Sequence, residues 1–125
     1  MATVQPGERY TALSGADLRG KRYHIVKFDA NANVVLATSG ADTILGVSDY
    51  EPRTASDAVD VVLANGAGTF KVKTATNLAA NVLLTANASG QAVLATTGQK
   101  VFGRTLRASV AGEIAEYYKL DTVAA

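Results

Sequence analysis

The chain has 125 residues, 12 Lys and Arg against 11 Asp and Glu, and no Cys. That length builds one domain with a real core. The missing Cys excludes a disulfide scaffold, a thiol nucleophile and a Cys-ligated zinc, and the net charge of +1 argues against a general nucleic-acid binder, which would carry a strongly basic face.

The hydrophobic fraction, 48%, leans on Ala and Val, with five Tyr, three Phe and no Trp. Small core residues suit sheets, and modest burial per copy favours burial shared between copies. After Met1, "ATVQPGERYT" has no apolar h-region, and no apolar run reaches membrane-spanning length. The expectation is a soluble protein made in a cytoplasm, without a membrane partner.

Residues 1–20 hold Pro6, Gly7, Gly15 and Gly20 without a sustained period and read as an extended arm; 21–125 read as a single β domain. "YHIVKF" (23–28) alternates, with His24, Val26 and Phe28 on one face and Tyr23, Ile25 and Lys27 on the other. "VVLAT" (34–38) and "TILGVSDY" (43–50) come next as strands, joined at Ser39-Gly40, and Gly46 marks a bulge or a close backbone approach. After the polar loop "EPRTASD", the stretch "AVDVVLANGAGTFKVKT" (58–74) predicts a hairpin turning at Asn65-Gly66, with Phe70 and Val72 on one face. A helical turn at 77–80, a strand at 82–85 and strands at 92–96, 100–108 and 112–120 complete the chain; in the last, Ile114, Tyr118 and Leu120 share a face, with Glu116 the exception.

An internal repeat carries more weight than any of these. "NVVLATSGADTILGVS" (33–48) parallels "QAVLATTGQKVFGRTL" (91–106), and Ile25-Val26 falls opposite Leu83-Leu84. A unit of about 23–50 recurs at 81–107, separated by the 58–74 hairpin. Two copies are too few for a solenoid. The expected fold is all-β: a small barrel or sandwich-like (tulip-type) domain with two related halves and an extended N-terminal arm.

Sites of chemistry are scarce. "GADLRGK" (15–21) spells most of a phosphate loop, but Arg22 replaces the Mg²⁺-binding hydroxyl, the segment before it is a poor strand, and the residues from Tyr23 onward alternate with period two. "DANANV" copies the first ligands of a calcium loop, yet Val34 stands where Gly is needed and Gly40 where the bidentate Glu is needed, so an Asx turn is the reading. His24, the single histidine, lies in an alternating strand as a packed or rim residue, with no nucleophile and carboxylate set to complete a triad. Asp49/Glu51 and Glu113/Glu116 read as solvated strand ends. Arg19, Lys21, Arg22 and Lys27 form a basic stretch diluted by Asp17 and Asp29, a solvated or partner-facing edge. Asn87-Ala88-Ser89 spells a glycosylation sequon by letters only. No catalytic residue, cofactor or metal is expected.

The succession "ADLRGKRYHIVKFDANANVVLATSGADTILGVSDYEP", "AVDVVLANGAGTFKVKTA", "LAANVLLTANASGQAVLATTGQKVFGRTLRA" and "GEIAEYYKL" resembles the capsid cement (head decoration) proteins of tailed bacteriophages, over about residues 16–120. The resemblance implies a structural virion protein on the outer surface of the expanded capsid. It would bind the major capsid protein, commonly as a homotrimer, and brace the shell without chemistry. It also implies a coat-contacting N-terminal segment, here Ala2, Thr3, Val4, Gln5, Pro6, Gly7, Glu8, Arg9 and Tyr10, pairing edge to edge with coat protein.

Three alternatives stand beside it. One is another virion β protein: a head-fibre base, a tail-tube subunit or a receptor-binding module, although no glycine-rich or heptad repeat marks a fibre shaft. A carbohydrate-binding module would need an aromatic platform, which the adjacent Tyr117 and Tyr118 do not make. An enzyme would have to work through His24.

Overall fold

The structure, a computed structural model, describes residues 8–49, 53–54 and 57–125. The regular elements among these residues are strands: β1 (Arg9–Leu13), β2 (Ile25–Phe28), β3 (Val34–Leu36), β4 (Gly46–Ser48), β5 (Ala58–Leu63), β6 (Thr69–Lys73), β7 (Leu83–Ala86), β8 (Ala92–Leu94), β9 (Lys100–Thr105) and β10 (Ile114–Val123). They form two five-stranded antiparallel sheets, ordered β1-β5-β4-β2-β3 and β6-β10-β9-β7-β8. Each sheet curls back on itself, because a parallel bridge joins Ser14 to Val34 in the first and Thr74 to Ala92 in the second. The all-β fold with two related halves agrees with the expectation from the sequence.

The repeat is wider than its legible core, since each half contributes five strands in the same order. The same local devices recur. Asp29 Oδ1 accepts the N–H groups of Asn31 and Asn33 at 2.8 and 3.0 Å, and Asn87 Oδ1 accepts those of Ser89 and Gln91, both at 2.9 Å. Tyr23 and Asn81 both take left-handed backbone (φ 65° and 61°), an uncommon conformation for residues with side chains. Their N–H groups donate to the carbonyls of Ser48 and Thr105. Ser48 Oγ donates to Lys21 O at 2.6 Å, as Thr105 Oγ1 does to Ala79 O at 2.8 Å.

Four local expectations are corrected. The hairpin at Asn65-Gly66 does not form: β5 already pairs with β1 on one side and β4 on the other, so β6 joins β10 in the second sheet. The stretch after β5 therefore crosses between sheets, and the 58–74 segment is shared by the halves instead of separating them. No helical turn forms at 77–80; Leu78 is buried and makes an antiparallel bridge to Ser109. In β10 the buried face is Ala115, Tyr117 and Lys119, while Ile114 is exposed. Finally, residues 9–13, read as arm, form β1, and Leu18 beyond them is 2% exposed.

Two apolar clusters hold the halves. Leu18, Val26, Val34, Val59 and Val61 pack within the first half. Phe102, Tyr117, Leu84, Leu78 and Val72 of the second pack together with Ile25, Ala37, Val47 and Ala64 of the first. Ile25 and Val26 are both fully buried because successive strand residues point to opposite faces, and here each face has its own cluster.

Candidate binding surface

Of the expected contact segment, Ala2 to Gly7 lie outside the described residues, and Glu8, Arg9 and Tyr10 are placed at the start of β1. Arg9 Nη1 is ion-paired with Asp49 Oδ2, whose other oxygen takes Arg22 Nη2 at 3.1 Å. Thr11 Oγ1 donates to Asp60 Oδ1 on the neighbouring strand. The Tyr10 ring meets Phe28 edge-on, centroids 5.7 Å apart. Glu8 Oε2 lies 3.9 Å from Lys119 Nζ, whose side chain is 1% exposed. Burial pushes the Lys119 ammonium below its ordinary pKa, and Glu8 pulls it the other way. Glu8 and Arg9 thus have partners within the chain.

Three of the four residues of the basic stretch, Arg19, Arg22 and Lys27, are ion-paired. Arg19 clamps Asp17 through Nε and Nη2 at 2.9 and 2.7 Å, which lowers the Asp17 carboxyl to about 2. Arg22 pairs with Asp49 and lies 4.7 Å from the Tyr23 ring centre, and Lys27 Nζ is 3.1 Å from Asp42 Oδ2. Charges neutralised this closely do not build the positive face that a phosphate backbone requires. In the phosphate-loop lookalike, Gly15 N–H bonds Val34 O and Lys21 N–H closes a turn on Leu18 O, leaving no helix N-terminus for an anion.

His24 is buried, with Nδ1 3.0 Å from Arg22 O. Burial pushes its pKa below the ordinary 6.5, and Lys21 and Lys73 push the same way. The charges acting on it are cations, so the carboxylate that orients a hydrolytic base is not supplied. Among the described residues, no group of three or more His, Asp or Glu side chains converges on a possible metal position. Tyr117 is fully buried, so it offers no aromatic platform with Tyr118.

The remaining candidates are shape and apolar surface. Leu106, Val110 and Ile114 are 41%, 55% and 43% exposed around the β9–β10 connection. An open depression of ≈ 280 Å³ lies there, between Arg107, Ser109 and Glu116. A groove of ≈ 290 Å³ runs between the halves, from Thr43 and Ile44 to Lys100 and Val123. Such features suit adhesion to a macromolecule. Sequence reasoning missed the junction between halves; Gly40 and Gly90, where an added methyl group would meet Gln99 and Leu36 of the other half, were its available signal.

Comparisons with known proteins bear on this surface through the fold. No protein-family model and no curated protein sequence matches the chain. Among solved structures, the head fiber gp8.5 N base of bacteriophage phi29 is similar, with a TM-score of 0.69 at 15% identity. The alignment covers 90% of this chain and 92% of that one. The chain is thus similar in fold, over about nine-tenths of its length, to the base of a phage head fibre.

Proposed function

We propose that this protein is a non-enzymatic structural component of a tailed-phage virion, seated on the outside of the head as the base of a head fibre. The observation that carries this reading is the fold shared with the phi29 head-fibre base over nine-tenths of both chains. The paired charges and exposed apolar surface are in keeping with adhesion. The partner is the major capsid protein, and the copies form a homotrimer without nucleic acid or membrane. Ala2–Tyr10 is the proposed coat contact. Its last two residues, Arg9 and Tyr10, begin β1, the first strand in its sheet's order, and a coat strand would add along the segment by β-augmentation.

Capsid cement is the second reading, favoured by the sequence resemblance over 16–120. The two share an attachment site and differ in consequence. Cement binding only the expanded lattice stabilises that lattice by mass action, and three linked contacts raise its avidity. Electron microscopy of undecorated, expanded capsids, with and without the purified protein, tests both. The expected result is added density on the head. A raised disruption temperature of the decorated shell would favour cement, and an unchanged one the fibre base. Bare heads beside decorated tails would overturn both.

A further inference from the structure

The junction between the two halves is not symmetric under the repeat. The first half presents Tyr23, Ile25, Leu36, Ala37 and Gly40. Ile25 N–H donates to Gly90 O at 2.7 Å, Tyr23 O accepts Lys73 N–H at 2.8 Å, and Gly40 O accepts Lys100 N–H at 2.8 Å. The Tyr23 and Phe70 rings meet at 5.7 Å. A methyl group on Gly90 would lie 3.1 Å from Leu36 Cδ2 and 3.5 Å from Ala37 O. The second half presents Phe70, Lys73, Gly90 and Lys100.

The matched devices give each of these a counterpart. Thr74 corresponds to Ser14, so Phe70 and Lys73 correspond to Tyr10 and Leu13. The Asx turns equate Gly90 with Ala32, both left-handed (φ 70° and 60°). Gly103 corresponds to Gly46, so Lys100 corresponds to Thr43. None of Tyr10, Leu13 and Ala32 is among the residues that the first half uses at the junction; Thr43 lines the groove beside it. The contact is therefore head-to-tail, and each half keeps a copy of the face that the other half uses.

Both spare faces carry open apolar residues. On the first half, Leu13 is 58% and Phe28 40% exposed, and Ala32, in the turn after Phe28, is exposed as well. The counterpart of Phe28 is Ala86, buried in the shared core. On the second half, the counterparts of Ile25, Leu36 and Ala37 are Leu83, Leu94 and Ala95: Leu94 is 53% exposed and the other two half-buried.

We propose that copies of this chain associate head-to-tail, the Leu13–Phe28–Ala32 face of one seating on the Leu83–Leu94–Ala95 face of the next and repeating the internal junction. The occupant is a second copy because the template for its fit is already built inside the chain. Three departures make this joint looser than the internal one. Asn81 stands where Tyr23 supplies a ring, and Ala32 adds a methyl where Gly90 has none. Arg104, bonded to Asn81 Oδ1 at 3.1 Å, stands where Val47 is buried in the shared cluster. A heterologous contact closes into a ring or runs into a filament; a closed homotrimer would carry six quasi-equivalent units. This deepens the homotrimer of the proposed function and needs no capsid. A monomeric wild type would overturn the homotrimer with it but leave head attachment standing, and bare heads would leave the association standing.

Sedimentation velocity on the full chain over a wide concentration range, with Leu13→Asp and Leu94→Asp, tests it. Wild type is expected to form an oligomer, and each variant alone to lose about tenfold or more in association. An equimolar mixture retains one intact pair of faces and is expected to give a 1:1 dimer and nothing larger. A monomeric wild type, variants that assemble like wild type, or a mixture without dimer would each overturn the proposal. Both positions are more than half exposed, and circular dichroism checks the fold; Leu13→Ser and Leu94→Ser replace any variant that does not fold.

Discussion

The two halves run the same backbone course around different fillings. In the first, the internal cluster is aliphatic: Leu18, Val26, Val34, Val59 and Val61. In the second, Phe102 and Tyr117 stack edge-on at 5.0 Å and dominate the volume. The features common to both halves are polar and local: the Asx turn, the hydroxyl that anchors the strand entry, and a glycine in the fourth strand. The backbone devices set the path, and side-chain volume is adjusted around them.

The glycines sharpen this contrast most. A methyl group at Gly46 would lie 2.1 Å from Val62 O, a backbone atom in a paired strand. At Gly103 it would lie 2.3 Å from Tyr117 Cδ2, a ring atom with some freedom to shift. Overpacking a tight site costs about 1–3 kcal/mol, and we expect Gly46→Ala at or above about 3 kcal/mol and Gly103→Ala nearer 2 kcal/mol, measured by urea unfolding. Equal costs would mean that the first sheet yields as readily as the ring.

The hydroxyl anchors come next. Thr105 Oγ1 accepts Val82 N–H at 3.0 Å, and Ser48 Oγ accepts His24 N–H at 3.2 Å, but the His24 N–H also reaches Lys21 O at 3.3 Å. A buried donor left alone costs about 1–3 kcal/mol, so Thr105→Val is expected to cost about 2 kcal/mol and Ser48→Ala about 1 kcal/mol in the same assay. The reverse order would show that the second half compensates better.

The smallest effect concerns pH. His24 belongs to the first half, and its counterpart in the second is Val82. Its folded-state pKa lies below the ordinary 6.5, so the unfolded chain takes up a proton first as the solution is acidified. Stability is present above 6.5 and falls as pH drops through that value toward the lowered pKa. Thermal midpoints between neutral and mildly acidic pH should decline in wild type and flatten in His24→Gln. Parallel declines would assign the effect to other groups.

Much of this was legible in the letters. Period-two alternation marked β2, the V-L-A-T repeat showed two halves, and the spacing of Asp29, Asn31 and Asn33 announced an Asx turn, because each signal depends on neighbours in the chain. The candidate surface was less legible. Glu8 and Arg9 read as free arm, yet their partners, Lys119 and Asp49, lie far away in sequence.

The sequence by itself determined the all-β class, the duplication and the shortage of catalytic groups, since composition and local spacing suffice for these. Tertiary structure alone decided that β5 and β6 part company, because whether an edge is free depends on which strands already occupy it. It decided that Tyr117 faces inward, because the space for its ring is made by Gly103 on a neighbouring strand. It also decided that the halves meet head-to-tail, which a repeat read along one dimension cannot express.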